Sequence, residues 1–230
     1  MLVDNQERYY FFHLSNPADG TWLDRIVCQK TDNIAGPFDE GTFPEPNGKV
    51  HDKPWVEFDG VSNNIYMTWT QFDKYKSQAP EDSTVILFSK STDRGDSWTE
   101  PKRISYFAGD CMDGDGTVEG ATPVVGPNGE LYVAWTGPQG IMFNRSYDGG
   151  ETWMERETKV IDHPGGWNIK VPGIFRCNGL PVVKCDRSDS PSRGTIYINW
   201  ADQANGEDDT DIWIIKSTNG GETWSEPKRV

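Results

Sequence analysis

Two loops of this 230-residue chain gather carboxylates close enough in sequence to act together. One reads Gly109-Asp-Cys-Met-Asp113-Gly-Asp115-Gly-Thr-Val-Glu119; the other reads Ala201-Asp202-Gln-Ala-Asn-Gly-Glu207-Asp208-Asp209-Thr-Asp211. A pair of carboxyls can cleave a glycosidic bond, one giving a proton and the other acting as base or nucleophile. Glu119, Asp113 and Asp202 are the catalytic candidates. Clustered carboxylates beside Asn, Gly and carbonyl oxygens also suit a hard cation such as calcium. Asp113, Asp115, Asp208 and Asp209 would be its ligands, although Asp113-Gly-Asp115 lacks a full calcium-loop spacing. Two further readings are bonding of sugar hydroxyls without catalysis, and plain solvated charge in a chain of net charge −14. Other loops offer substrate contacts: Trp167 between a Gly-Gly pair and Asn168, Arg176 beyond it, and His51-Asp52-Lys53. Arg suits a carboxylate because its planar fork reaches both oxygens. None of this chemistry requires a cofactor.

The remaining reactive residue types have plainer readings. Trp69, Trp135 and Trp200 fall at equivalent places in repeated runs, which suits packing. His163 and His51 lack a metal-ligand partner at a familiar spacing. The excess of acid disfavours nucleic acid, whose phosphates it would repel. No stretch approaches the roughly 20 apolar residues of a membrane-spanning helix.

The element that must position these loops occurs three times. It reads Ser91-Thr-Asp93-Arg-Gly95-Asp-Ser97-Trp98, Ser146-Tyr-Asp148-Gly-Gly150-Glu-Thr152-Trp153 and Ser217-Thr-Asn219-Gly-Gly221-Glu-Thr223-Trp224. Each copy lies between two strand-like runs, so it is a hairpin turn. Asp or Asn bonds nearby backbone, Gly supplies positive φ, and Trp is expected to plug the turn against its own sheet. A degraded copy runs from Lys30-Thr-Asp32 to Gly36-Pro-Phe38, with one extra residue. The run before each turn is preceded by a signature: Ile65-Tyr-Met-Thr-Trp69, Leu131-Tyr-Val-Ala-Trp135 and Ile196-Tyr-Ile-Asn-Trp200. Four antiparallel strands per repeat make a propeller blade. The expected units of one all-β domain over 1–230 are a partial blade at 1–45, then 50–105, 118–160 and 178–230. The first is expected to lack its opening strand, leaving Tyr9 to His13 as an open edge that invites self-association. Strand order sends the strand-four-to-one and strand-two-to-three loops to one face. Those are the long polar loops, and loops on a rigid scaffold usually carry function.

The triplicated turn resembles the Asp-box, or BNR repeat, of sialidase-like β-propellers. Stretches such as Asp52-Lys-Pro-Trp55, Gly120 to Trp135 and Asn178-Gly-Leu-Pro-Val resemble bacterial proteins loosely called exo-α-sialidase-like. The resemblance implies six blades, so blades supplied by a longer chain are expected; a four-bladed ring with a defective first blade is the alternative. It implies a glycan or glycoconjugate as partner. It implies an Arg cluster, an Asp acid/base and a Tyr activated by a Glu. The family's aromatic-Arg-Ile-Pro motif is absent here, Asp24-Arg25-Ile26 being mid-strand, and no complete set can be assembled. Non-catalytic binding of carbohydrate or protein is therefore the second functional reading. A secreted, periplasmic or cell-surface location is also implied, where a disulfide is permitted, although the first residues do not read as a signal peptide. Among Cys28, Cys111, Cys177 and Cys185, Cys111 and Cys177 are the pair whose loops could meet.

Overall fold

The computed structural model describes residues 1–15 and 23–230. Those residues form strands without a helix, in one three-stranded and three four-stranded antiparallel sheets. The first sheet is β1 (Leu2–Val3), β2 (Tyr9–Ser15) and β3 (Arg25–Thr31). The second is β4 (Val50–Phe58), β5 (Ile65–Phe72), β6 (Thr84–Ser91) and β7 (Lys102–Arg103). The third is β8 (Glu119–Val125), β9 (Leu131–Gly137), β10 (Gly140–Ser146) and β11 (Thr158–Ile161). The fourth is β12 (Val182–Cys185), β13 (Ile196–Asp202), β14 (Asp211–Ser217) and β15 (Lys228–Arg229). Each four-stranded sheet runs in chain order, as a propeller blade does.

The outer strands are shorter than the sequence suggests. β7 and β15 follow Pro101 and Pro227, which cannot donate to a ladder, and each has two residues; β11, with no such proline, has four. The first blade also differs from expectation. Its opening strand is present, because Leu2 and Val3 pair with Tyr10 and Tyr9. Its outer strand is the one reduced, to a single bridge between Cys28 and Thr42. Gly41, at φ 86°, and Pro44 stop pairing there. The degraded turn has no extra residue: Asp39 donates to the Lys30 carbonyl as Thr99 does to Lys90 and Ser225 to Lys216.

In each complete turn the serine hydroxyl is the hub. Ser91, Ser146 and Ser217 donate to Asp93, Asp148 and Asn219 at 2.7–2.9 Å. The same oxygens accept the amides of Gly95, Gly150 and Gly221 at 2.8–2.9 Å. Those glycines hold φ of 78°, 85° and 86°. The tryptophans pack against their own sheets and reach beyond them into the preceding blade. Trp98 packs edge-on to Phe12, Trp153 to Phe88 and Trp224 to Phe143, each in the preceding blade. A cation reaches across the same joints: Lys30 to the Gly95 carbonyl, Lys90 to Gly149 and Arg145 to Gly220. Acids of the turns join them, as Lys30–Asp96, Lys90–Glu151 and Arg145–Glu222. The motif thus fastens one blade to the one before it. Ser146→Ala strands the buried Gly150 amide, and a loss of about 1–3 kcal/mol is expected in urea unfolding.

The apolar core lies between blades. Ile26, Met67 and Trp69 join the first to the second; Ile86, Phe88, Val133 and Trp135 join the second to the third; Ala134, Phe143, Ile198 and Trp200 join the third to the fourth. All four cysteines are free thiols, so the Cys111–Cys177 pairing is not formed; Cys111 is fully buried and Cys177 half-buried.

Candidate functional site

Neighbouring inner strands each break register on the loop face. In β4, Asp52 pairs with Thr70 and Trp55 with Thr68, which leaves Lys53-Pro54 outside the ladder. Pro54 cannot donate, and Lys53 takes φ 49°. In β8, Glu119 pairs with Thr136 and Thr122 with Ala134, which leaves out Gly120-Ala121. Gly120, at φ 73°, lies where a Cβ would be 2.8 Å from Leu180. Bulges re-aim side chains, and these two aim Lys53 and Glu119 at each other.

Glu119 is fully buried and its Oε2 accepts from the Lys53 ammonium. Its Oε1 is buried with no hydrogen-bond partner. Burial pushes this carboxyl up to about 7, with Lys53 opposing the shift. Lys53 Nζ is also 3.7 Å from Asp113 Oδ1 and 4.8 Å from the centroid of the Trp167 ring. Asp113 receives the Tyr75 hydroxyl at 2.6 Å and Arg176 Nη2 at 3.1 Å. Burial, then the bond to Asp113, raises the Tyr75 phenol and keeps it a donor. Trp167 is buried, its indole N–H donating to the Thr117 carbonyl at 3.3 Å. It forms a wall under Lys53 rather than an open stacking platform.

Of the residues singled out in the sequence, Glu119, Asp113, Lys53, Arg176 and Trp167 come together. Asp52 sits beside them and accepts the amide of Lys53 at 2.7 Å. His51 turns inward: it is buried against Trp69, and burial pulls it down to about 4. It therefore faces core, since successive strand residues point to opposite faces. Asp202 is buried elsewhere, accepting from the Gly165 amide at 3.0 Å and the Trp200 indole at 3.3 Å. Asp115 accepts the Asn168 amide at 2.8 Å, and Asp209 lies 3.7 Å from Arg229. Asp208 is exposed. Among the described residues no group of three or more His, Cys, Asp or Glu is placed to hold a metal ion. Asp113 faces three donors of this chain, Tyr75, Arg176 and Lys53.

Tyr75 is the member sequence reasoning missed. Its one signal is an aromatic hydroxyl inside an otherwise polar loop-face segment. Beyond Trp167 lies a cavity of about 680 Å³, lined by Phe107, Thr136, Gln139 and His163 among others. His163 is held there by Thr136 Oγ1 at 2.9 Å and the Ala201 carbonyl at 3.1 Å, and burial lowers its pKa.

No protein-family model and no curated protein matches this chain. Solved structures do match. The NanB sialidase from Streptococcus pneumoniae aligns with a TM-score of 0.54 at 12% identity, over 99% of this chain and 52% of that one. The intramolecular trans-sialidase from Ruminococcus gnavus aligns at 0.60 and 12%, over 96% and 71%. A protein of unknown function from Dyadobacter fermentans aligns at 0.60 and 15%, over 94% and 59%. The chain thus spans about half the length of NanB. At these identities the likeness shows the fold, a sialidase-like β-propeller.

Proposed function

We propose that the loop face binds a glycan and that Glu119 is the proton-donating carboxyl of a glycoside hydrolase site. The observation that carries this reading is one buried carboxyl at about 7, linked through Lys53 to a second, Asp113. Paired carboxyls in unlike environments divide into a proton donor and an anion. Asp113 supplies the second carboxyl, held by Tyr75 and Arg176. Asp-box turns, a single domain and a secreted or cell-surface location belong to the same reading, supported by the resemblance of the repeats.

One observation favours the second reading, a propeller that binds carbohydrate or protein without catalysis. Glu119 has no exposed surface, and Lys53 stands over it. Assay of fluorogenic glycosides, sialosides included, separates the two. Turnover that falls by about 10²–10⁴ in Glu119→Gln supports the hydrolase. Absence of turnover with retained binding on a glycan array supports the binding module, and absence of both defeats each.

A further inference from the structure

The cavity beyond Trp167 is walled by the interior of the chain. Its lining comes from the connection between the second and third blades, from the third blade itself, and from the connection between the third and fourth. The buried polar groups around it are spent on holding those walls. Glu157 accepts the amides of Tyr106 and Phe107. Asp202 accepts the Gly165 amide, and Asp115 Oδ1 accepts that of Asn168. The Ala201 carbonyl can only accept, so His163 Nε2 carries the proton and Nδ1 takes the Thr136 hydroxyl. His163 is therefore neutral, with both ring nitrogens in use.

One buried polar atom is not spent. Gln139 lines the cavity from the two-residue tip of the β9–β10 hairpin, and its Oε1 is buried with no hydrogen-bond partner. An unpaired buried acceptor costs about 1–3 kcal/mol, which a donor on a ligand recovers. The terminal torsion of a glutamine is broad, so the amide can turn its oxygen to meet that donor. The rest of the lining narrows the kind of ligand. A volume of about 680 Å³ lies in the range of small-molecule sites. Half-buried Phe107 and exposed Pro138 and Pro164 offer apolar faces. Exposed Asp115 and Asp162 add acceptors, and the lining's one lysine, Lys159, is paired with Asp162. A ligand here needs an apolar face, hydroxyl donors and no negative charge.

We propose that this cavity binds a neutral pyranose sugar, with the C–H face of its ring on Phe107 and a hydroxyl donating to Gln139 Oε1. The site is separate from the carboxyl pair described above, since neither Glu119, Asp113 nor Lys53 lines it. It stands whether or not Glu119 donates a proton. Its buried ionisable groups, Glu157 and His163, are both bonded, so it holds a sugar and is not a second reaction centre.

The methionines give each site its own reporter. Met142 lines the cavity, and Met112 precedes Asp113. The full chain, labelled with carbon-13 at the methionine methyls, is titrated by NMR with the methyl β-glycosides of glucose, galactose and N-acetylglucosamine, and with methyl β-glucuronide as the anionic control. At least one neutral glycoside is expected to shift the Met142 methyl with a Kd of about 1–10 mM. The glucuronide should bind about tenfold more weakly or not at all. Gln139→Leu should weaken the neutral sugar about tenfold, the loss of one hydrogen bond. Glu119→Gln should leave the Met142 titration unchanged. Circular dichroism checks that Gln139→Leu is folded, and the wild-type titration stands without it. A Met142 methyl that no neutral glycoside moves overturns the proposal, as does a shift confined to Met112, which would put the sugar at the carboxyl pair instead. Equal binding of the glucuronide, or an unchanged Kd in folded Gln139→Leu, overturns it too.

Discussion

Lys53→Met is expected to cost little stability at pH 5 and progressively more above pH 7. Glu119 is fully buried, and its carboxyl is raised from an ordinary 4.5 to about 7 although Lys53 opposes the shift. A carboxyl whose folded pKa exceeds its unfolded value favours the folded state at low pH. That contribution falls as pH rises from 4.5 to about 7 and is level beyond, a loss of roughly 3 kcal/mol. Without the ammonium the folded pKa moves higher still. The decline then continues past pH 7 at about 1.4 kcal/mol per pH unit. At high pH it approaches the roughly 3–5 kcal/mol of a broken buried pair.

His51 acts in the opposite sense over much of the same range. Its folded pKa is lowered from 6.5 to about 4, so its contribution is present above 6.5 and fades as pH falls toward 4. Between pH 4.5 and 6.5 the contributions of Glu119 and His51 should therefore nearly cancel. Glu119→Gln removes the falling contribution, and its stability should rise with pH relative to the wild type across this window. Urea midpoints of the wild type, Lys53→Met and Glu119→Gln from pH 5 to 9 check all of this. If the wild-type and Glu119→Gln curves run parallel, Glu119 is not the titrating group.

The repeat was legible because it is local. Ser, Asp or Asn, Gly and Trp at fixed spacing dictate a turn, and the strand-two signatures dictate blades; both are present. The further reach of the tryptophans was not legible, since a Trp at a turn reads alike whether it covers its own sheet alone or the preceding one as well. The first blade was misread for a related reason: Leu2-Val3 is too short to show period-two alternation. At the site, loops known to share a face yielded most members of the cluster. Lys53 and Glu119 meet because two bulges turn them, and a bulge is visible only once register is known. His51 and Asp202 failed because neighbours in sequence point oppositely on strands, and a loop acid serves a backbone amide as readily as a ligand.

Gly150→Ala tests how tightly the motif fastens blades, and it should be among the most damaging single-methyl changes in the chain. The glycine holds φ 85°, and an added Cβ would stand 2.4 Å from Cζ and 2.5 Å from Cε1 of Phe88. Phe88 cannot easily retreat. It is 2% exposed, stacked on Tyr66 at 6.1 Å and met edge-on by Trp153 at 5.0 Å. Two costs combine, about 1–2 kcal/mol for a left-handed residue with a Cβ and about 1–3 kcal/mol for overpacking. Gly129→Ala separates them. That glycine has φ 88° and nothing within 4 Å of the added carbon, so it carries the backbone cost alone. Gly150→Ala should therefore unfold at clearly lower urea than Gly129→Ala, and adding Phe88→Leu to Gly150→Ala should cost less than Phe88→Leu costs the wild type. Equal losses for the two glycine variants would mean that the turn conserves backbone shape only, and that the blades are held together by their apolar layers without it.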